Sequence, residues 1–149
     1  MTTATRTQTK VLQPYIFFDG RCEEAAEFYK QAVGAEILML MRFKDSPEPP
    51  DSDDGCGGAT SDPEKVMHMT LKIGETMLLA SDGRCEGKPN FEGFALSLNV
   101  PSETEAEQVF SRLSEGGEVQ MPLSKTFFSP AFGMVADRFG VSWMIHVEA

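Results

Sequence analysis

Alternating apolar residues near the end of the chain predict a β-hairpin. Residues 131–137 form its first predicted strand, and the turn Asp137–Gly140 has Asp at its first position and Gly at its fourth, as type I turns prefer. After the turn, only one of the two alternating sets is uniformly apolar. That set is predicted to pack on the body of the protein, and the other to face solvent or a cavity. The apolar set is Val141, Trp143, Ile145 and Val147, and the other is Ser142, Met144, His146 and Glu148.

The first half of the chain predicts a strand, a helix and three more strands. Residues 11–18 form the first predicted strand, and Pro14 places it at a sheet edge or a bulge because proline cannot donate to a ladder. Between Cys22 and Val33, apolar residues recur at i, i+3, i+4 and i+7, which predicts an amphipathic helix that ends at Gly34. Three further strands are predicted at residues 35–43, 66–73 and 76–81.

The second half of the chain repeats this order. After a strand at residues 94–100, Ser102 and Glu105 form a capping box that opens a second helix, which ends at Gly116. Strands at residues 119–128, 131–137 and 141–147 follow. In the first of these, Phe127 and Phe128 fall on opposite faces, so one is predicted to lie in the core and the other in a pocket wall.

The repeated order predicts an α+β fold made of two βαβββ modules with curved, mainly antiparallel sheets around a cavity. The modules span residues 11–82 and 93–148 of a single domain, residues 10–149. Residues 84–92 are the predicted linker, and the polar residues 1–9 a loose arm.

Charge and hydropathy narrow the classes of partner. The 149 residues carry a formal net charge of −10, which argues against nucleic acid and anionic membranes because both require a basic patch. No stretch is apolar enough to span a membrane, and the N-terminus lacks the apolar core of a signal peptide. We therefore expect a soluble, cytoplasmic protein whose partner is a small molecule or another protein.

The cysteines and the acidic loop suggest no metal centre. Cys22, Cys56 and Cys85 are widely spaced and odd in number, so they are interpreted as reduced thiols. The proline-rich, acidic segment 44–63 partly matches an EF-hand loop, but Cys56 stands where the turn glycine is needed. A solvated loop is the better interpretation.

The element order, with FDGRCEEAAEFYKQAVGAE early and FGMVADRFGVSWMI at the end, resembles the vicinal oxygen chelate superfamily, the glyoxalase and bleomycin-resistance fold. The segments DRFGVSW and LSLNVPSETEAEQVF are similar to its PhnB-like branch, often labelled 3-demethylubiquinone-9 3-methyltransferase. The resemblance covers residues 11–148 and implies a homodimer, since members commonly pair to complete their cavities. The sequence has no glycine-rich strand-to-helix loop of the dinucleotide or adenosyl type, so the label is treated as a family name and not as an activity.

The resemblance also implies positions for metal ligands, near Gln13, His68, Gly93 or Phe94, and Met144. Only His68 is a good ligand among them, and a divalent site needs three or four donors. We therefore expect no bound metal or other cofactor. A reduced divalent site, to which Gln13 and His146 also contribute, stays open as an alternative.

The two histidines, His68 and His146, are the most interesting polar residues. Taken singly, each is more simply a structural histidine. Together with Gln13 and Tyr15 they form a polar set among phenylalanines and methionines, which is typical of a small-molecule site. The predicted ligand-binding residues are Gln13, Tyr15, His68, Phe128, Met144 and His146.

Two classes of function follow from these residues. We expect a protein that binds or sequesters a small molecule without the usual metal site, because nothing evident replaces the metal in stabilising an oxyanion. The alternative is an enzyme that acts on a small oxygen-rich or aromatic substrate. It would use His68 as catalytic acid or base, oriented by Gln13 or Tyr15, or as a metal ligand.

Overall fold

The computed structural model describes residues 10–45, 63–83 and 90–148. The predicted arm at residues 1–9, most of the loop with Cys56, and most of the linker with Cys85 lie outside these residues. The helices are α1 (Cys22–Val33) and α2 (Glu103–Ser114). The strands are β1 (Tyr15–Phe17), β2 (Glu36–Arg42), β3 (Val66–Ile73), β4 (Thr76–Ser81), β5 (Leu96–Val100), β6 (Glu118–Ser124), β7 (Phe132–Ala136) and β8 (Ser142–Val147).

The strands form two four-stranded sheets, one per module, and the predicted α+β fold is confirmed. Sheet 1 has the order β1-β4-β3-β2 and sheet 2 the order β5-β8-β7-β6. In each sheet the first strand of the module pairs in parallel with the last, and the other pairings are antiparallel. This mixed arrangement is not the doubly wound parallel sheet of a dinucleotide-binding fold.

Two predicted strands extend four residues beyond the observed ones at one end. The first was expected from residue 11, but β1 begins at Tyr15, and Leu12 is 98% exposed. The sixth was expected to reach residue 128, but β6 ends at Ser124 because Thr126 starts a turn. Its Oγ1 accepts hydrogen bonds from the backbone N–H groups of Phe128 (3.3 Å) and Ser129 (3.1 Å), which favours a turn over a ladder.

The helix boundaries have identifiable causes. Gly34 adopts a left-handed φ of 72°, and the Ala35 N–H bonds back to the Tyr29 carbonyl at 3.1 Å, which ends α1 as predicted. The Ser102 Oγ accepts from the Glu105 N–H at 3.1 Å and caps α2. At the start of α1, the N-cap residue Arg21 makes no side-chain capping hydrogen bond. Asp82, just after β4, accepts from the Cys22 N–H at 2.8 Å and supplies that cap from the sheet.

The predicted hairpin turn ties the two modules together. Asp137 Oδ1 accepts from the Val141 N–H at 3.1 Å within the turn. Asp137 Oδ2 accepts from the Tyr29 hydroxyl of α1 at 2.6 Å and from Trp143 Nε1 at 2.9 Å. Trp143 is only 2% exposed, which confirms that the apolar set of β8 packs inward. Burial, and then the charge of Asp137, raises the pKa of Tyr29 well above its usual value.

Candidate functional site

One face of sheet 1 is buried and the other is open. Along β3, Met69 and Leu71 are fully buried, whereas His68 and Thr70 on the other face are half-buried. The register places Tyr15 of β1 opposite Leu79 of β4, and Leu79 opposite Thr70 of β3. Tyr15 and Thr70 therefore lie in one row across the open face.

A hydrogen-bonded chain of three side chains crosses this open face. The Tyr15 hydroxyl lies 3.0 Å from Nδ1 of His68, and Thr70 Oγ1 lies 3.3 Å from Nε2 of the same ring. The rings of Tyr15 and His68 have centroids 5.6 Å apart. We call these residues the Tyr15–His68–Thr70 group. Thr70 was not predicted, although it lies two residues after His68 and strand alternation puts both on one face.

Apolar side chains surround this polar group. The ring of Phe17, which is 53% exposed, lies 5.1 Å from that of Tyr15. On β2, Met39 pairs with Thr70 and Met41 pairs with His68. Thioether and aromatic side chains therefore lie beside the polar group, which is the usual composition of a small-molecule site.

The hydrogen-bonded chain can donate to a ligand in either tautomer of His68. If Tyr15 donates to Nδ1, then Nε2–H donates to Thr70, and the Thr70 hydroxyl keeps a free proton. If Thr70 donates to Nε2, then Nδ1–H donates to Tyr15, and the Tyr15 hydroxyl keeps the free proton. Partial burial raises the pKa of Tyr15, so the phenol is a neutral donor near pH 7.

His146 lies on sheet 2 in a different environment. Its ring stacks on Phe128, with centroids 6.2 Å apart and planes at 23°, and lies 6.4 Å from the ring of Phe132. Phe128 is 43% exposed and Phe127 is 100% exposed, so the prediction that one of the two lies in the core is wrong. Both are in the turn after β6, where strand alternation does not apply.

The remaining predicted residues occupy two further places. Gln13 precedes β1 and, with Tyr15, lines a cavity between β1 and β5. Met144 lies on β8 between Ser97 and Met134 of the neighbouring strands. Within residues 10–45, 63–83 and 90–148, no hydrogen bond or ring contact joins His68 to His146.

The donors near His68 do not fit the divalent metal site that the superfamily resemblance implies. Both ring nitrogens of His68 already have hydroxyl partners, at 3.0 and 3.3 Å. The described residues also contain no group of three or more His, Cys, Asp or Glu side chains that could hold a metal ion. Such a site needs about three such donors, so these residues do not fit it.

Comparison with known proteins agrees with the fold. A profile of the family described as 3-demethylubiquinone-9 3-methyltransferase matches residues 10–146. Protein YjdN of Escherichia coli (strain K12) is 33% identical over 138 residues, which are 91% of this chain and 94% of YjdN. Protein PA1353 from Pseudomonas aeruginosa is 42% identical, with a TM-score of 0.77 over 93% of this chain and 98% of its own.

A solved protein from Bacillus cereus, described as a putative 3-demethylubiquinone-9 3-methyltransferase, PhnB protein, is 25% identical, with a TM-score of 0.74 over 93% of this chain and 99% of its own. Together with glyoxalase-related proteins of lower identity, these structures place the fold in the glyoxalase and bleomycin-resistance class of the vicinal oxygen chelate superfamily. Within that class, the chain belongs to the PhnB-like family described as 3-demethylubiquinone-9 3-methyltransferase. In the described part of the chain, no helix is long and apolar enough to cross a bilayer.

Proposed function

We propose that this protein binds a small molecule on the open face of sheet 1, at the Tyr15–His68–Thr70 group, without a transition metal. The observation that carries the proposal is the hydrogen-bonded chain of three side chains, with His68 bonded at both ring nitrogens (3.0 and 3.3 Å) and with apolar side chains of Phe17, Met39 and Met41 beside it. Such a surface buries the body of a ligand, and the chain donates one directed hydrogen bond that orients it.

The Phe128–His146 pair on sheet 2 is a separate candidate contact surface. It is aromatic, and among the residues that the structure describes its imidazole has no hydroxyl partner comparable to Tyr15. His146 is therefore the natural control for His68. Both are half-buried strand histidines on open sheet faces, so their substitution by alanine removes similar side chains from comparable positions.

An enzymatic role is the second candidate function, and the position of Tyr15 supports it. The Tyr15 hydroxyl holds Nδ1 of His68 at 3.0 Å and thereby fixes the orientation of the imidazole. A fixed imidazole can move a proton to or from a small oxygen-rich or aromatic substrate as a general acid or base. In this role His68 is the catalytic residue and Tyr15 positions it.

A homodimer is part of the proposal. The outer edge strands of the two sheets, β2 and β6, each expose large apolar side chains: Leu38 and Met39 on β2, and Val119 and Met121 on β6. Apolar sheet edges that stay uncovered invite uncontrolled pairing, so burial in a defined dimer would protect them.

Light scattering at micromolar concentration is expected to give twice the chain mass of 16.4 kDa. Met121→Lys should shift the mass towards one chain, and a monomeric wild type would contradict the dimer.

We also propose a cytoplasmic location, which is consistent with the free, buried thiol of Cys22. Fractionation of cells that express the protein tests this placement.

A metabolite screen tests the binding proposal. Thermal stabilisation is measured with and without added divalent metal, and each hit is then incubated with the protein and examined for conversion. The proposal predicts that hits stabilise the protein even in the presence of EDTA. The His68→Ala variant should bind them about tenfold or more weakly than wild type, and the His146→Ala variant should bind them within about twofold of wild type. Hits recovered unchanged support binding. If His68→Ala keeps its affinity for a hit but abolishes its conversion, the enzymatic role is correct and the binding-only role is wrong.

A further inference from the structure

A cavity of about 520 Å³ lies between the first strands of the two modules. We call it the seam cavity, because β1 is an edge strand of sheet 1 and β5 is an edge strand of sheet 2. Tyr15 and Leu78 line it from the first module, and Leu96 and Trp143 from the second. Its volume is typical of the sites that hold small organic ligands.

The residues that line the seam cavity disfavour a charged ligand. None of the described residues that line it carries a charged side chain. The polar residues that line it are Gln13, Tyr15, Thr76 and Ser97, and the other lining residues are apolar or proline. An ionised group placed there would lose part of its hydration without gaining a counter-charge, which is unfavourable.

The free edge of β1 adds backbone hydrogen-bonding groups to this apolar space. The Pro14 carbonyl accepts from the Leu79 N–H at 3.0 Å, and the Phe18 N–H donates to the Ser81 carbonyl at 2.8 Å. Residues 14 and 18 therefore turn their backbone groups towards β4. Because these directions alternate along a strand, the N–H and C=O of Tyr15 point to the opposite side, the free edge at the seam.

We propose that the seam cavity is the apolar subsite of the ligand site and takes an uncharged, elongated molecule that carries a hydroxyl or carbonyl oxygen. This inference rests on the proposed binding function and names its ligand class. Tyr15 joins the two parts of the site, since it lines the seam cavity and its hydroxyl bonds to His68. The apolar body lies between the sheets, and the oxygen meets the polar groups of Tyr15.

The single tryptophan provides a direct readout of the seam cavity. Trp143 lines the cavity and is the only tryptophan in the chain. Its fluorescence is titrated with decanol and, separately, with decanoate, which has the same chain length but is anionic at pH 7.5. We expect decanol to change the emission saturably and decanoate to bind at least about tenfold more weakly.

Matched substitutions locate the binding. Ser97→Phe fills the seam cavity from β5, and Ser124→Phe adds the same ring at an exposed position on β6 that does not line the cavity. Decanol affinity should fall about tenfold or more in Ser97→Phe and stay within about twofold in Ser124→Phe. Thr76→Phe, at an exposed position on β4, is the second filling variant and should repeat the loss if Ser97→Phe does not fold.

Three results would overturn the inference: no saturable response to decanol, equal affinity for decanol and decanoate, or full affinity in a folded filling variant. The binding function is tested separately. If a screened metabolite still loses affinity in His68→Ala while decanol does not bind, the seam inference is wrong and the proposed function stands. If decanol binds as expected while no metabolite depends on His68, the seam cavity is a site but the proposed function is wrong.

Discussion

The Tyr15 hydroxyl lies 3.0 Å from Nδ1 of His68, a residue 53 positions later in the chain. The two residues are on β1 and β3, which are not neighbours, because β4 lies between them. The contact therefore depends on a side chain long enough to cross Leu79 and on the register of two strand pairings. Tyr15 meets both conditions.

Tyr15→Phe should weaken ligand binding and leave stability nearly unchanged. The substitution removes only the hydroxyl that bonds to His68, and Tyr15 is partly exposed. Ligand affinity is expected to fall about tenfold, and the tautomer ratio of His68, measured by ¹⁵N NMR of the imidazole, should change. Tyr29→Phe, at the other tyrosine, is the control and should not change the His68 spectrum. An unchanged His68 spectrum in Tyr15→Phe would show that the contact is absent in solution.

Asp137→Ala should be strongly destabilising, because two buried donors lose their acceptor. These are the Tyr29 hydroxyl and Trp143 Nε1, at 2.6 and 2.9 Å from the carboxylate. We expect the free energy of unfolding to fall by about 3–5 kcal/mol, measured by urea denaturation. Asp45→Ala, which removes an exposed acceptor of the Arg42 N–H, should cost at most about 1 kcal/mol. Similar losses in both variants would rule out the special role of Asp137.

Tyr29 should make the protein less stable at alkaline pH. Its folded-state pKa is raised well above the usual value of 10, by burial and then by Asp137. The unfolded chain loses this proton near pH 10 while the folded chain keeps it. The stabilising effect is therefore complete below pH 10 and declines above it, by up to about 1.4 kcal/mol per pH unit. The difference in unfolding free energy between wild type and Tyr29→Phe should shrink between pH 9 and pH 11. A constant difference would contradict this assignment.

The purified protein should contain no stoichiometric transition metal. Both nitrogens of His68 are hydrogen-bonded, and His68 is the one good ligand among the positions that the superfamily resemblance suggests. Elemental analysis of protein purified without chelators measures this directly. A stoichiometric content of zinc, iron, nickel or manganese that is lost in His68→Ala would restore the metalloenzyme hypothesis.

Local patterns were enough to predict most of the fold. The observed bounds of α1, β3 and β4 agree with the sequence-based ones, because periodicity and glycine stops act over a few residues. The largest errors lie at β1 and β6, where the apolar residues continue beyond the end of the observed strand. At β6 the hydroxyl of Thr126 captures the N–H groups that the predicted strand needed.

The site was less predictable because its contacts depend on register. Tyr15 and His68 were predicted from their residue types and strand faces, but no local pattern relates positions 53 residues apart. Thr70 was missed because a threonine on a strand carries no distinctive signal, and only its 3.3 Å contact with His68 identifies it. The ligand-binding roles of all these residues stay predictions.

A crystal structure of the protein with a ligand from the metabolite screen, grown in the presence of EDTA, is the most direct test of the binding site. We expect ligand density on the open face of sheet 1, with an oxygen or nitrogen atom about 2.6–3.2 Å from Tyr15 Oη or Thr70 Oγ1. Density confined to the Phe128–His146 surface of sheet 2, with His68 untouched, would contradict the proposed site.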